Sequence, residues 1–583
     1  MRVAEEDFSM TSEKRLATFI GSLFLAVAFL GAAHAQDRDH FIDKDGHSIR
    51  HVLLISIDGM HALDFINCRM GISGVNGGEP YCPNLAELGE TGVNYLDTST
   101  SKPSDSFPGL MALVTGGSPR TVGAFYDVAY DRSLDPPTIT TGNGVAGGSC
   151  IPGTAPIGTR TEYDEGIDID QTNLNGGAPG GADGGILSID PRKLVRDPSK
   201  GCAPVYPWNF VRTNTIFGVV HAAGGYTAWS DKHPSYSAVS GPGDGTNVDD
   251  YYSPDINSAV VNLPGVTTPL GMSCSTIPDP SQVGSWTDSF QNIQCYDALK
   301  VDAILNEIDG KTHNGKSPAP VPSVFGMNFQ VVSVGQKLIE KNVGKGGYQD
   351  ALGTPTEELL GEIQFADTSI GEMVSHLKRR GLLDSTLIII TAKHGQNPID
   401  SPRFNEPATT PATILDSFLP ESEKPSNSAG IGPTEDDISL LWLSDPTQAS
   451  SAVNLLETTS PPSSNVAGIG QIFWGPAIIQ LFNSPSSDPR TPDIIVTPNG
   501  GVVFTGSSKK LAEHGGFAHD DTSVMMLLSN PRFVAKTVTS PVETMQVAPT
   551  ILKALGLDPE KLQAVQKERT QVLPGIDFDN QPR

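Results

Sequence analysis

The sequence predicts an α/β fold built on a mostly parallel, helix-covered central sheet, and three observations point to it. The run His51-Val52-Leu53-Leu54-Ile55-Ser56-Ile57 reads as a buried strand and halts on Asp58-Gly59. Leu387-Ile388-Ile389-Ile390-Thr391 is a second such run, and it leads into Lys393-His394-Gly395. Ahead of it, Glu357 to Arg380 has the apolar periodicity of an amphipathic helix ended by Gly381, which makes a helix-to-strand unit of a parallel sheet. Continuous apolar strands suit a sheet covered on both faces. Open sheets of this kind present their ligands just beyond the carboxyl ends of the strands, where Asp58 and His394 stand.

Taken from the N-terminus, the first feature is an export signal. Lys14 and Arg15 precede the apolar stretch Leu16 to Ala33, and Ala33-His34-Ala35 offers the small residues that a signal peptidase reads. Residues 1–35 are expected to be a signal peptide cleaved before Gln36, with Met10 an alternative start. The mature protein is then periplasmic or secreted and keeps no stable membrane span. Six cysteines, Cys68, Cys82, Cys150, Cys202, Cys274 and Cys295, agree with an oxidising compartment, and no Cys-x-x-Cys pair suggests a redox or zinc-ribbon site. Nearest-neighbour bridging (Cys68–Cys82, Cys150–Cys202, Cys274–Cys295) is one of about 15 possible pairings.

Residues 36–583 form the expected catalytic domain. Its scaffold is interrupted by two loop-rich inserts, at about 126–300 and 397–510, where Gly, Pro, Asp, Asn and Ser dominate. The second insert contains short strands at Ile438 to Leu443 and Asp493 to Val496 and reads as a cap. The formal charge of -27 argues against a role as a nucleic-acid scaffold, because backbone binding needs a basic surface. A small anionic substrate remains compatible if a metal supplies local positive charge.

The candidate chemistry lies at a few points. Glu513-His514-Gly515-Gly516 precedes the apolar run Val524 to Leu528, so Asp58, His394 and His514 converge from distant parts of the chain, as suits Zn²⁺ or a similar ion. His519, followed by Asp520 and Asp521, is a further candidate ligand. Ser106 is the candidate nucleophile. It lies in Ser104-Asp105-Ser106-Phe107-Pro108-Gly109 before a short helix, with Pro108 in the first turn and Ser106 in the N-cap region. There the helix dipole and free N–H groups would favour an attacking oxyanion and a bound phosphoryl group. Asp231, Lys232 and His233, after an apparent strand at Tyr226 to Trp229, are candidates for contact with the substrate.

In this order the motifs resemble the type I phosphodiesterase/nucleotide pyrophosphatase family of the alkaline phosphatase superfamily. The resemblance rests on Asp58-Gly59, Ser106-Phe107-Pro108, Val114-Thr115-Gly116, His394-Gly395, His514-Gly515 and a closing helix at Val547 to Leu557. It implies an alkaline phosphatase-like α/β/α sandwich and an exported metal-dependent hydrolase of phosphodiester or nucleotide pyrophosphate bonds. It also implies two zinc ions and a covalent phospho-enzyme. The chain departs from the family at three places. Lys393 stands where relatives carry Asp, the stretch from Asn328 to Gln336 lacks their Pro-Asp-x-x-Gly-His segment, and Asp127 replaces a phosphate-contacting Asn. One ion, Zn²⁺ before others, is therefore expected rather than two, with Lys393 in the place of the second and Gln330 or Gln336 able to add only a neutral oxygen. A sulfatase is the alternative enzyme, disfavoured because Leu110 stands where that class needs Arg; a binding protein on the same fold is the other alternative.

Overall fold

The computed structural model of the protein describes residues 49–578 apart from 164, 179–183, 260, 262, 275–284, 429–430, 460–467, 506–509 and 577. The expected signal peptide lies outside the described residues.

Period-2 alternation in the first strand sets the architecture. In β1 (His51–Ile57) every residue is buried, with Val52 and Leu54 packed into one core and Leu53, Ile55 and Ile57 into another. Around it form β2 (Val93–Tyr95), β3 (Ala228–Ser230), β4 (Asp250–Tyr252), β5 (Val324–Phe329) and β6 (Thr386–Thr391). Four strands of the second insert follow in the chain: β7 (Thr434–Glu435), β8 (Ser439–Leu441), β9 (Ile469–Trp474) and β10 (Ile494–Pro498). The main sheet is completed by β11 (Met526–Ser529) and β12 (Lys536–Val538). Its order is β12-β2-β11-β6-β1-β5-β3-β4, and β11 alone runs against the other seven strands.

Helices cover both faces, which makes the α/β/α sandwich. On the Val52/Leu54 side pack α1 (Ser106–Thr115), α2 (Ile216–Ala222) and, late in the chain, α6 (Val547–Ala554). The Leu53/Ile55 side is covered by α3 (Phe290–Ile308), α4 (Val331–Lys337) and α5 (Glu357–Arg379), the helix predicted before β6. Thr356 caps α5, its hydroxyl accepting from Leu359 N, and the helix starts on Glu357-Glu358 and ends on Lys378-Arg379, charges that match its dipole.

Strands β7, β8, β10 and β9 form a separate antiparallel sheet in that order, with an apolar cluster of its own around Leu441, Leu456 and Ile494. The stretch 126–300 is not wholly outside the scaffold. It supplies β3, where the sequence had shown a strand at Tyr226 to Trp229, and β4, α2 and α3, which do not stand out in pattern from their loop-rich surroundings. The three disulfides are Cys68–Cys82, Cys150–Cys202 and Cys274–Cys295. Among the described residues no helix is long and apolar enough to cross a membrane.

Candidate active site

Four adjacent parallel strands, β6, β1, β5 and β3, finish at one place. Beyond their carboxyl ends come Lys393 and His394, then Asp58, then Gln330, then Asp231 and Lys232. Helix α1 brings Ser106 to the same point. Its N-cap is Asp105, whose carboxylate accepts from Phe107 N at 3.0 Å. Ser106 is thus the first helical residue and not the cap, which leaves its hydroxyl to other partners. The close approach of α1 depends on Gly109: a Cβ there would lie 2.3 Å from the carbonyl oxygen of Lys393, so no side chain fits between the helix and the segment after β6.

Ser106 is fully buried, and its Oγ accepts from Lys232 Nζ at 2.9 Å and lies 3.2 Å from His394 Nε2. His394 Nδ1 is 2.9 Å from the carbonyl oxygen of Gly395. A carbonyl only accepts, so Nδ1 carries a hydrogen, and in the neutral ring Nε2 turns a lone pair toward the serine. The ring of His514 stacks obliquely on that of His394 with centroids 4.0 Å apart. Asp58 Oδ2 accepts from Gln330 Nε2 at 2.7 Å and Asn328 Nδ2 at 3.1 Å, and its Oδ1 accepts from Ser56 Oγ at 3.3 Å. His394 Nε2 is 3.5 Å and Lys393 Nζ 3.9 Å from Asp58 Oδ2.

Lys393, wholly buried, donates to both oxygens of Asp231, at 2.9 and 3.1 Å. Asp231 also accepts from the indole of Trp229 at 3.0 Å and from the backbone of Lys232 at 2.8 Å. Both ammonium groups rest on the ring of Tyr236, Lys393 Nζ at 4.5 Å and Lys232 Nζ at 5.6 Å from its centroid. Burial would raise the pKa of Asp58, but the charges of Lys393, His394 and Lys232 outweigh it and hold the carboxyl well below the usual range. For Lys232, burial is outweighed by the carboxylates of Asp58, Asp127, Asp105 and Asp231, which raise its pKa. His514 is pushed well below the ordinary histidine range by burial and by the charges of His394 and nearby lysines. Asp105 moves the other way, raised by burial and by Asp127.

Of the residues singled out in the sequence, Asp58, Ser106, Lys232, Asp231, Lys393, His394 and His514 are brought together. Asp127 flanks the site: its backbone N–H donates to Asp105 Oδ2 at 3.2 Å, and it lines a polar cleft of about 530 Å³ with Tyr126, Arg160 and Asp436. Its charge acts on Lys232, whose pKa it helps to raise. His233 turns to Asp255, 3.7 Å away, and stacks on Tyr236. His519 is not gathered with the others. Its side chain is 86% exposed, beside Asp520, on a cleft shared with His61 and Arg403, because the turn that starts at His519 points it away from the strand ends. Asn328, Tyr236 and Asp105 were not foreseen. Only Asp105 had a local signal, an Asp directly ahead of a Phe-Pro helix start.

The model of the type I phosphodiesterase/nucleotide pyrophosphatase family matches residues 52–157 and 346–520, segments that contain Asp58, Ser106, Lys393, His394 and His514. The chain belongs to that family. As a member it is a hydrolase of the phosphodiesterase/nucleotide pyrophosphatase type. No curated protein matches it. Among solved structures, it is similar to the murine ectonucleotide pyrophosphatase/phosphodiesterase 5 at 14% identity and TM-score 0.47, over 87% of this chain and 96% of that one. The human counterpart gives 13% identity and TM-score 0.45, over 87% and 95%.

Family members typically depend on a divalent metal, and the donors here can be tested against that requirement. Among the described residues no three His, Cys, Asp or Glu side chains are gathered as a metal-binding group. The oxygens of Asp58 that would bond an ion already face two amide donors, a hydroxyl and an imidazole. An ion bonded to Asp58 at ~2.1 Å would stand within about 6 Å of the Lys393 ammonium and meet a repulsion of roughly 5 kcal/mol at an effective dielectric of ~20. The donor set does not fit a divalent ion as it is arranged, and Asp58, His394, His514 and His519 do not form one ligand shell.

Proposed function

We propose that this phosphodiesterase works through Ser106 as a covalent nucleophile with His394 as its base. The observation that carries the reading is the position of Ser106 Oγ at the start of α1, with Lys232 Nζ at 2.9 Å on one side and an acceptor nitrogen of His394 at 3.2 Å on the other. In the first half-reaction Oγ attacks phosphorus, its proton passes to His394 Nε2, and the bond to the leaving alkoxide breaks. The alkoxide takes a proton from solvent. In the second, water attacks the phosphoseryl group and the Ser106–phosphorus bond breaks. His394, having released its first proton to solvent, takes one from the attacking water and returns it to Ser106 Oγ, and a phosphate monoester leaves. The dipole of α1 favours the developing charge at its N-terminal end, while the N–H groups of Phe107 and Gly109 are already taken by Asp105.

The substrate class is a small phosphodiester or nucleotide pyrophosphate, as the family supports. The single Zn²⁺ expected from the sequence is the competing reading, and it requires Asp58, His394 and His514 to exchange their present partners for an ion. Three disulfides support a protein exported to the periplasm or beyond.

The test is Ser106→Ala, assayed on bis(nitrophenyl) phosphate, together with mass spectrometry of the acid-quenched native protein. The variant is expected to lose turnover while its circular dichroism stays unchanged, and the native protein to carry phosphate on the peptide containing Ser106. Full turnover in the variant would point to direct attack by water and overturn the covalent mechanism.

A further inference from the structure

The positive charge beside Ser106 comes from lysines, and it is already balanced. Lys393 is paired with Asp231, and the fully buried Asp58 lies against Lys393, His394 and two amides. Lys232 is different. Its Nζ reaches the nucleophile itself, at 2.9 Å, and rests on the Tyr236 ring on the way. An ammonium has three donors, so Lys232 can keep Ser106 and still reach the non-bridging oxygens of a phosphoryl group placed for attack. Of the carboxylates that act on it, Asp231 is held by Lys393, and Asp58 by Lys393 and by neutral amides in the stretch where the family's Pro-Asp-x-x-Gly-His segment is missing.

We infer that this chain binds the phosphoryl group of its substrate through Lys232, with Lys393 cancelling the carboxylates of Asp231 and Asp58, and that it does so without a divalent ion. The inference takes from the proposed function only the location of the phosphoryl group. Lys232 is a catalytic residue in this scheme because it touches the reacting oxygens; Lys393 is a positioning residue that acts through Asp231 and Asp58. The chemistry is a metal-free version of the charge stabilisation that relatives obtain from ions.

The experiment uses the full chain and inorganic phosphate as the probe. Elemental analysis of the purified protein is expected to find well under one equivalent of zinc, manganese, iron or calcium. Isothermal titration with phosphate is expected to give the same affinity with and without EDTA. Lys232→Gln is expected to weaken phosphate binding roughly tenfold or more, the loss of one charge-assisted hydrogen bond, and Lys232→Arg to retain it. These readouts are binding and metal content, not turnover, so failure of the nucleophile assignment leaves them intact.

A tightly held divalent ion in the purified protein would overturn the inference. So would phosphate binding that vanishes in EDTA and returns with Zn²⁺, an absence of phosphate binding, or an affinity indifferent to Lys232→Gln in a variant whose circular dichroism matches the native protein.

Discussion

Lys393→Met separates the structural from the chemical work of the buried ion pair. Lys393 and Asp231 are both 0% exposed and share two hydrogen bonds, at 2.9 and 3.1 Å. Removing the ammonium leaves the Asp231 carboxylate buried with only the Trp229 indole and the Lys232 N–H as partners. Truncating one member of a buried pair costs about 3–5 kcal/mol, most of it from the stranded charge. Asp231→Asn made in the same chain removes that charge and keeps an oxygen for the indole. The double variant is expected to recover much of the loss, with a coupling of about 1–3 kcal/mol. Urea unfolding followed by circular dichroism measures the stability of the two single variants and the double variant. Turnover of bis(nitrophenyl) phosphate measures the chemistry. Stability is expected to return in the double variant and turnover to stay low, since Asp58 still lacks its nearest ammonium, 3.9 Å away in the native protein. A Lys393→Met protein less than about 1 kcal/mol destabilised and fully active would refute the assignment.

Gly109→Ala places a methyl 2.3 Å from a backbone oxygen after β6 and is expected to cost about 1–3 kcal/mol or more while lowering turnover, because it lifts Ser106 away from His394; parallel unfolding and kinetic assays check both. Asp521 packs against Asp437, and burial raises its pKa to about 7. The folded protein then keeps a proton that the unfolded chain releases near 3.8. Its contribution to stability is full at low pH and is lost as pH rises through the window up to about 7, by up to about 4 kcal/mol. Asp521→Asn is expected to flatten that slope in urea unfolding measured from pH 4.5 to 8, and an unchanged slope would place the shared proton elsewhere. His519→Ala, a change at an 86% exposed side chain outside the site, is expected to leave turnover unchanged; a large loss would return His519 to the active machinery.

Much of this site could be read along the chain. Asp58 and His394 follow apolar runs whose only polar continuation is the site itself, and Ser106 precedes a helix stopped by Gly116, which takes the left-handed C-cap conformation. The role of Lys232 was harder to read. In sequence it is one charge in an Asp-Lys-His turn, whereas in space it is the lysine on the nucleophile. The stretch with Asn328 and Gln330 looked like the family's missing carboxylate and imidazole, with Gln330 able to offer an ion only a neutral oxygen. In the fold both amides are donors that hold Asp58. His519 looked like a fourth ligand because it follows His514 closely, but it opens a short helical turn with its side chain 86% exposed.

The sequence by itself determined the strands β1 and β6 and the helix ahead of β6, since apolar runs and helical periodicity are local properties of the chain. It also determined that carboxylate, hydroxyl and imidazole would lie at element ends. Only the tertiary structure decided which charge neutralises which. Lys393 pairs with Asp231 across 162 positions because β6, β1, β5 and β3 end side by side. Strand order is set by long-range packing and carries no periodic signature, so the exchange of an ion site for an ammonium site becomes visible only when those four ends are brought together.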